Sequence, residues 1–118
     1  MSSCVPPQHR LDFDLTRNAL VSCDERIKIK NVSIWEKDEN NWFKINKEKD
    51  SRGSSIVYLD KKNEGYYCNT EYPIKFKPNK EYIISSTSLD SGLEMSVFTN
   101  SEGKIDSVSN RFGCLKEN

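Results

Sequence analysis

The sequence predicts an all-β protein, a small sandwich of about eight short antiparallel strands. It contains one alanine against fifteen serines and eleven asparagines, and helix interiors favour the first of these residues and disfavour the other two. Short apolar runs recur along the chain with turn residues between them, which is typical of a sandwich or a barrel. At 118 residues the chain has the length of one domain.

The composition supports one modest core and limits the possible partners. Leucine, isoleucine, valine and phenylalanine supply 27 residues, more than a disordered chain of this length would carry. Eighteen basic and eighteen acidic residues cancel, so neutralisation of phosphates cannot drive binding and no nucleic-acid partner is expected. We expect the sandwich to comprise residues 11–109, between an N-terminal tether at 1–10 and a tail at 110–118.

The strands are predicted in chain order from alternating or continuous apolar runs. Residues 11–15 alternate apolar and acidic side chains, as a half-buried strand does. The alternation of residues 26–30 continues at Val32 and Ile34 with its parity shifted by one, which predicts a β-bulge near residues 30–31. The other predicted strands are 19–23, 56–59, 65–68, 74–76, 82–85, 93–98 and 104–108.

One hairpin has a register that the residue pattern selects. A four-residue loop at 37–40, closed by Glu36 opposite Asn41, gives the pairs Ile34 with Phe43, Val32 with Ile45, Trp35 with Trp42 and Ser33 with Lys44. The first two pairs are apolar, as the core face of a sheet requires. A slip of one residue would place Ile34 opposite Trp42 or Lys44 and lose this agreement.

This register places two tryptophans side by side on the face opposite the core, next to an acidic loop tip. Tryptophan supplies much of the binding energy at protein interfaces. The predicted partner-binding residues are Trp35, Trp42, Glu36, Asp38, Glu39 and Lys44. Two alternatives stay open: a second layer or a terminal segment covers the tryptophans, or the pair is a platform on which sugars stack.

The sequence carries no recognisable catalytic or metal-binding motif. Residues 53–56 (Gly-Ser-Ser-Ile) lack the second glycine of a nucleophile elbow, and the single histidine, His9, lies in the predicted tether. Residues 60–65 superficially resemble a calcium loop, but Lys62 stands where the third position needs a ligand. We expect no cofactor, no metal and no enzymatic activity, although counting carboxylates does not exclude a glycosidase-like acid pair.

The four cysteines have spacings that match no zinc motif, which favours a disulfide in an oxidising compartment. We expect Cys23 to pair with Cys68, because both adjoin apolar strand-like runs, although four cysteines allow three pairings. Closing a loop of this size would stabilise the fold by about 4 kcal/mol. Such a bond between strands distant in sequence favours an immunoglobulin-like β-sandwich, and Cys114 is expected to be free or mispaired.

The first residues resemble the mature start of a bacterial lipoprotein, because Cys4 follows small residues and precedes a proline-rich stretch. The whole chain resembles the type VI secretion immunity periplasmic lipoproteins of Gram-negative bacteria over residues 4–108. The residues that carry the similarity are Cys4, Cys23 before an isoleucine-rich strand, Ser33-Ile34-Trp35-Glu36-Lys37, and Tyr67-Cys68 followed by residues 74–82.

The resemblance implies a non-catalytic protein that binds and neutralises a cognate effector toxin in the periplasm. It implies that Cys4 is lipidated and that this lipid anchor is the only contact with the membrane. Val5 after the cysteine implies delivery to the outer membrane. The alternative is a structural or adhesive β-sandwich subunit of the cell surface that binds glycan or protein.

Overall fold

The computed structural model describes residues 11–72, 74–86 and 94–109. These residues form nine β-strands and no helix, which confirms the predicted all-β class. Accordingly, they contain no helix long and apolar enough to cross a membrane. The strands are Leu11–Asp14 (β1), Ala19–Ser22 (β2), Asn31–Glu36 (β3), Trp42–Lys47 (β4), Ile56–Tyr58 (β5), Tyr66–Cys68 (β6), Glu81–Ser85 (β7), Glu94–Thr99 (β8) and Ile105–Ser109 (β9).

The nine strands form two antiparallel sheets, compatible with a β-sandwich. The smaller sheet has the strand order β1-β2-β5, and the larger has the order β6-β4-β3-β7-β8-β9. These orders contain the A-B-E and C′-C-F-G neighbours of immunoglobulin-type sandwiches, with β6 and β9 added at the two edges of the larger sheet. The β3–β4 hairpin therefore lies within the larger sheet, with β4 next to its β6 edge.

One hydrophobic core joins the two sheets. Both sheets contribute side chains with no exposed surface, among them Phe13, Leu20 and Val57 from the smaller sheet and Val32, Ile34, Ile45 and Val97 from the larger. In β3 and β7 the buried residues alternate with half-buried ones, as expected when one face of a sheet packs inward. The opposite face of the larger sheet, with these half-buried residues, therefore lies outside the core.

Tyr82 fixes the chain where it enters β7. Its ring is buried, and its hydroxyl oxygen accepts a hydrogen bond from the backbone N–H of Lys77 at 2.9 Å. A tyrosine near the start of strand F that bonds to upstream backbone is the tyrosine corner of immunoglobulin-type sandwiches. Ile84 is buried where antibody domains have the second cysteine of their inter-sheet disulfide. Apolar packing replaces the bond at this position.

The predicted strand at residues 26–30 and the bulge after it are wrong. Residues 24–27 form a turn, in which the N–H of Ile27 donates to the carbonyl of Asp24 at 2.9 Å. Ile29 makes only an isolated bridge to Ser54. Here the chain passes from β2 in one sheet to β3 in the other, so the shift in parity reflects a change of sheet.

Residues 74–76 are not a strand either. Ile74 is buried, and its N–H donates to the carbonyl of Leu59 at 3.2 Å, outside any ladder. Phe76 packs edge-on against Phe43 and Tyr82. The apolar side chains of this segment therefore fill the end of the core without adding a strand, and their spacing alone does not distinguish the two cases.

The predicted bond between Cys23 and Cys68 is wrong. Cys23 is disulfide-bonded, as predicted, but Cys68 is a free thiol. Cys68 lies in the edge strand β6 opposite Ile45, with its sulfur beside Asn69, whereas Cys23 follows β2 of the other sheet. Cys4 and Cys114 lie outside the described residues, as do the predicted tether and tail, so the lipidation of Cys4 stays a prediction.

Candidate partner-binding surface

Strands β3 and β4 form the predicted hairpin in the predicted register. All four predicted pairs are present, from Val32 opposite Ile45 to Trp35 opposite Trp42. The ladder ends at that last pair, one pair earlier than predicted, and the N–H of Glu39 donates to the carbonyl of Glu36 at 3.0 Å to begin the turn. The alternation that buries Val32 therefore places the tryptophans on the outer face.

The two tryptophans stack on each other across the strands. Their ring centroids lie 4.3 Å apart with an interplanar angle of 23°. The Trp42 residue is 41% exposed, and Trp35 is half-buried beside it. The Lys44 ammonium lies 5.7 Å from the centroid of the Trp42 ring, within range of a cation–π contact. Stacking holds a large apolar area in one orientation without any bound partner.

The tryptophan pair continues into the neighbouring strand. Trp35 lies between Trp42 of β4 and Ile83 of β7, and Ile83 is half-buried on the same face. We call Trp42, Trp35 and Ile83 the apolar stripe. It crosses two strand spacings, or about 10 Å. The sequence does not indicate Ile83 as part of this surface, because the pairing of β3 with β7 joins residues nearly fifty positions apart and leaves no local pattern.

Charged groups border the apolar stripe. Lys37 pairs with Glu81 at 3.8 Å beside the hairpin turn. Asp38 and Glu39 are exposed in the turn, and neither is ion-paired within the part of the chain that the structure describes. Asp38 adopts the left-handed conformation, with φ at 69°, as aspartate does in turns. The predicted acidic loop tip is therefore present next to the tryptophans.

The placement of Glu36 corrects the predicted site. Glu36 follows the alternation of Val32 and Ile34, so it lies on the inner face of the sheet and is only 8% exposed. Its carboxylate pairs with the ammonium of Lys77 at 3.1 Å, and this contact raises the pKa of Lys77. Glu36 thus holds the segment before β7 and does not contribute to the outer surface. The alternation itself was the signal for this placement.

A groove of about 490 Å³ lies beside β5, between residues 51–54 and residues 61–65. Within the described residues no three potential metal ligands come together, there or elsewhere. The sequence around these two segments is typical of loops, but it does not indicate that the loops face each other.

The fold and the surface together define a class: a small β-sandwich with a preformed aromatic patch on one sheet. Comparison with protein-family models, with curated proteins and with solved structures gives no match for this chain.

Proposed function

We propose that this protein is a periplasmic immunity protein that binds and neutralises a cognate secreted antibacterial effector without catalysis. The observation that carries the proposal is the stacked pair of Trp35 and Trp42 on the outer face of the larger sheet. The resemblance to immunity lipoproteins of type VI secretion supplies the kind of partner. The supporting residues on the same surface are Lys44, Asp38 and Glu39.

The physical basis is the burial of an anchored aromatic surface. Tryptophan side chains that enter a partner's pocket dominate many interfaces, while charged residues at the rim add complementarity and speed association. Here the ladder and the stacking fix the rings before binding, so little conformational entropy is lost on association. A rigid surface of this kind suits a protein that acts by blocking an active site.

The acidic turn supplies the second element of the proposal. Asp38 and Glu39 project at the tip beside the apolar stripe, where two carboxylates would enter a basic or metal-containing cleft of the effector. Such a cleft attracts carboxylates electrostatically, and the approach would block access by substrate. In this arrangement the tryptophans provide affinity and the turn provides occlusion.

The proposed location is the periplasm, with Cys4 anchored to the outer membrane by a lipid. The disulfide at Cys23 supports an oxidising compartment, because such bonds persist there and are rare in reducing ones. The lipoprotein-like start of the chain supports the anchor.

The test is co-purification with the product of the adjacent gene, followed by growth rescue when both proteins are expressed in the periplasm. We expect a stable complex and restored growth. Trp35→Ala and Trp42→Ala should each weaken binding by about 2 kcal/mol, since each removes an anchor of the surface. Leu15→Ala is the matched control, because Leu15 is an exposed apolar residue after β1 of the other sheet.

The outcomes separate the proposal from its alternative. Unchanged affinity in both tryptophan variants would reject the surface. Absence of any toxin partner, together with self-association or glycan binding, would favour an adhesive or structural subunit. Full protection by the double variant Asp38→Ala, Glu39→Ala would remove the acidic turn from the mechanism and leave the tryptophans as the contact.

A further inference from the structure

The groove beside β5 lies at the other end of β4 from Trp42. Its walls are residues 51–54 and 61–65, and its floor includes Ile56 and Tyr58. The segment 48–53 leaves β4 after Lys47, so the groove and the tryptophans are separated by roughly the length of that strand, about 17 Å. Its volume of about 490 Å³ is in the range of about 300–1,000 Å³ that small-ligand sites occupy.

Positive charge dominates the lining of the groove. Arg52, Lys61 and Lys62 line it together with one carboxylate, that of Glu64. None of the three cations makes an ion pair within residues 11–72, 74–86 and 94–109. The Lys61 ammonium lies 4.0 Å from the centroid of the Tyr58 ring, a cation–π contact that holds it over the floor. The groove therefore carries positive charge that these residues do not neutralise.

The neutral groups of the lining add hydrogen-bond donors. The hydroxyl oxygens of Ser51 and Ser54 accept bonds from the N–H groups of Gly53 and Ile56, at 2.9 and 3.1 Å. A hydroxyl that accepts a bond can still donate its own proton, so each serine can donate to a ligand. A ligand that fits this lining must bring several acceptor atoms and negative charge.

Both walls are fixed without a ligand. The side-chain amide of Asn63 donates to the Tyr58 carbonyl at 2.9 Å and accepts from the Tyr58 N–H at 2.7 Å. In the other wall, the N–H of Ser54 donates to the Tyr66 hydroxyl at 2.8 Å. Gly65 has φ at 80°, and a Cβ there would collide with the Ser51 hydroxyl oxygen. The walls therefore touch at Gly65, and the groove exists before binding.

We propose that this groove binds a small oxyanion ligand, one that carries a phosphate or several carboxylates. Arg52 supplies a planar guanidinium that binds either group through two parallel hydrogen bonds. Lys61 and Lys62 neutralise the remaining charge, and the serine hydroxyls donate to the remaining oxygens. The site is independent of the proposed partner surface, so each is tested without the other.

The test is a titration of the full chain, labelled with ¹⁵N, by inorganic phosphate and separately by citrate at constant ionic strength. We expect saturable shifts confined to the amides of residues 51–65, and the probe that saturates first distinguishes phosphate from carboxylate chemistry. The variant Arg52→Gln, Lys62→Gln should bind about tenfold more weakly, because two charge-assisted contacts are lost.

The matched control is Lys75→Gln, Lys80→Gln, which removes the same charge from exposed positions outside the groove. This control should change affinity by about twofold or less, since screened charges at a distance contribute little. Three results would overturn the site: no saturable shift with either probe, shifts spread equally over Lys75 and Lys80, or an equal loss of affinity in both variants. Dispersed spectra of both variants establish that they remain folded.

Discussion

The inner and outer faces of the β3–β4 hairpin differ in what their side chains contact. On the inner face Val32, Ile34 and Ile45 have no exposed surface and join the core. On the outer face Trp35 and Trp42 stack on each other, and Trp42 is 41% exposed. Because side chains alternate along a strand, one ladder supplies both faces. Mutations within this single hairpin should therefore separate the stability of the fold from the proposed binding.

The largest effect is expected from the inner face. Ile34→Ala should reduce the free energy of unfolding by about 2–5 kcal/mol, because it leaves a cavity among fully buried neighbours. Urea unfolding followed by circular dichroism measures this loss. Leu15→Ala, at a position that is 37% exposed, is the control for removing an apolar side chain. A loss below about 1 kcal/mol for Ile34→Ala would show that the inner face of the hairpin does not hold the fold.

A smaller change in the free energy of unfolding is expected when the pH is raised. Burial raises the pKa of Tyr82 on the inner face and of Tyr66 in the same core. A folded pKa above the unfolded value of 10.0 means that this contribution is fully present below pH 10 and is lost as the pH rises through the folded pKa. The free energy of unfolding should therefore fall as the pH rises above about 10.

Lys77 should also lower the free energy of unfolding as the pH rises, because its contact with Glu36 raises the pKa of Lys77 from 10.5. Tyr82→Phe is the matched variant, since it keeps the ring and removes the titrating hydroxyl, so the alkaline slope should become shallower. A slope identical to that of the unaltered chain would show that Tyr82 does not couple its protonation to folding.

The hairpin could be predicted from the sequence because one register alone pairs its apolar residues. Val32 with Ile45 and Ile34 with Phe43 leave the tryptophans together on the other face, and the structure has these pairs. The information is local, since the two strands are joined by a short loop. The same alternation places Glu36 inward, where it lies in the structure.

The features that could not be predicted join residues distant in sequence. The passage of residues 24–30 between sheets looks like a shifted strand, because a change of sheet and a bulge shift the parity in the same way. The partner of Cys23 depends on which strands the fold brings together, and Cys68 lies in an edge strand of the other sheet. The groove needs Gly65 to meet Ser51, a contact that neither loop encodes alone.

The most direct test of the outer face uses the fact that the chain has only two tryptophans, Trp35 and Trp42. Labelling them with 5-fluorotryptophan gives two ¹⁹F resonances, which can be observed while the unlabelled product of the adjacent gene, the proposed effector, is added. Both resonances should shift as the complex forms, and the D₂O-induced solvent isotope shift of Trp42 should disappear. Formation of the complex with both resonances unchanged would show that the tryptophans do not contact the partner.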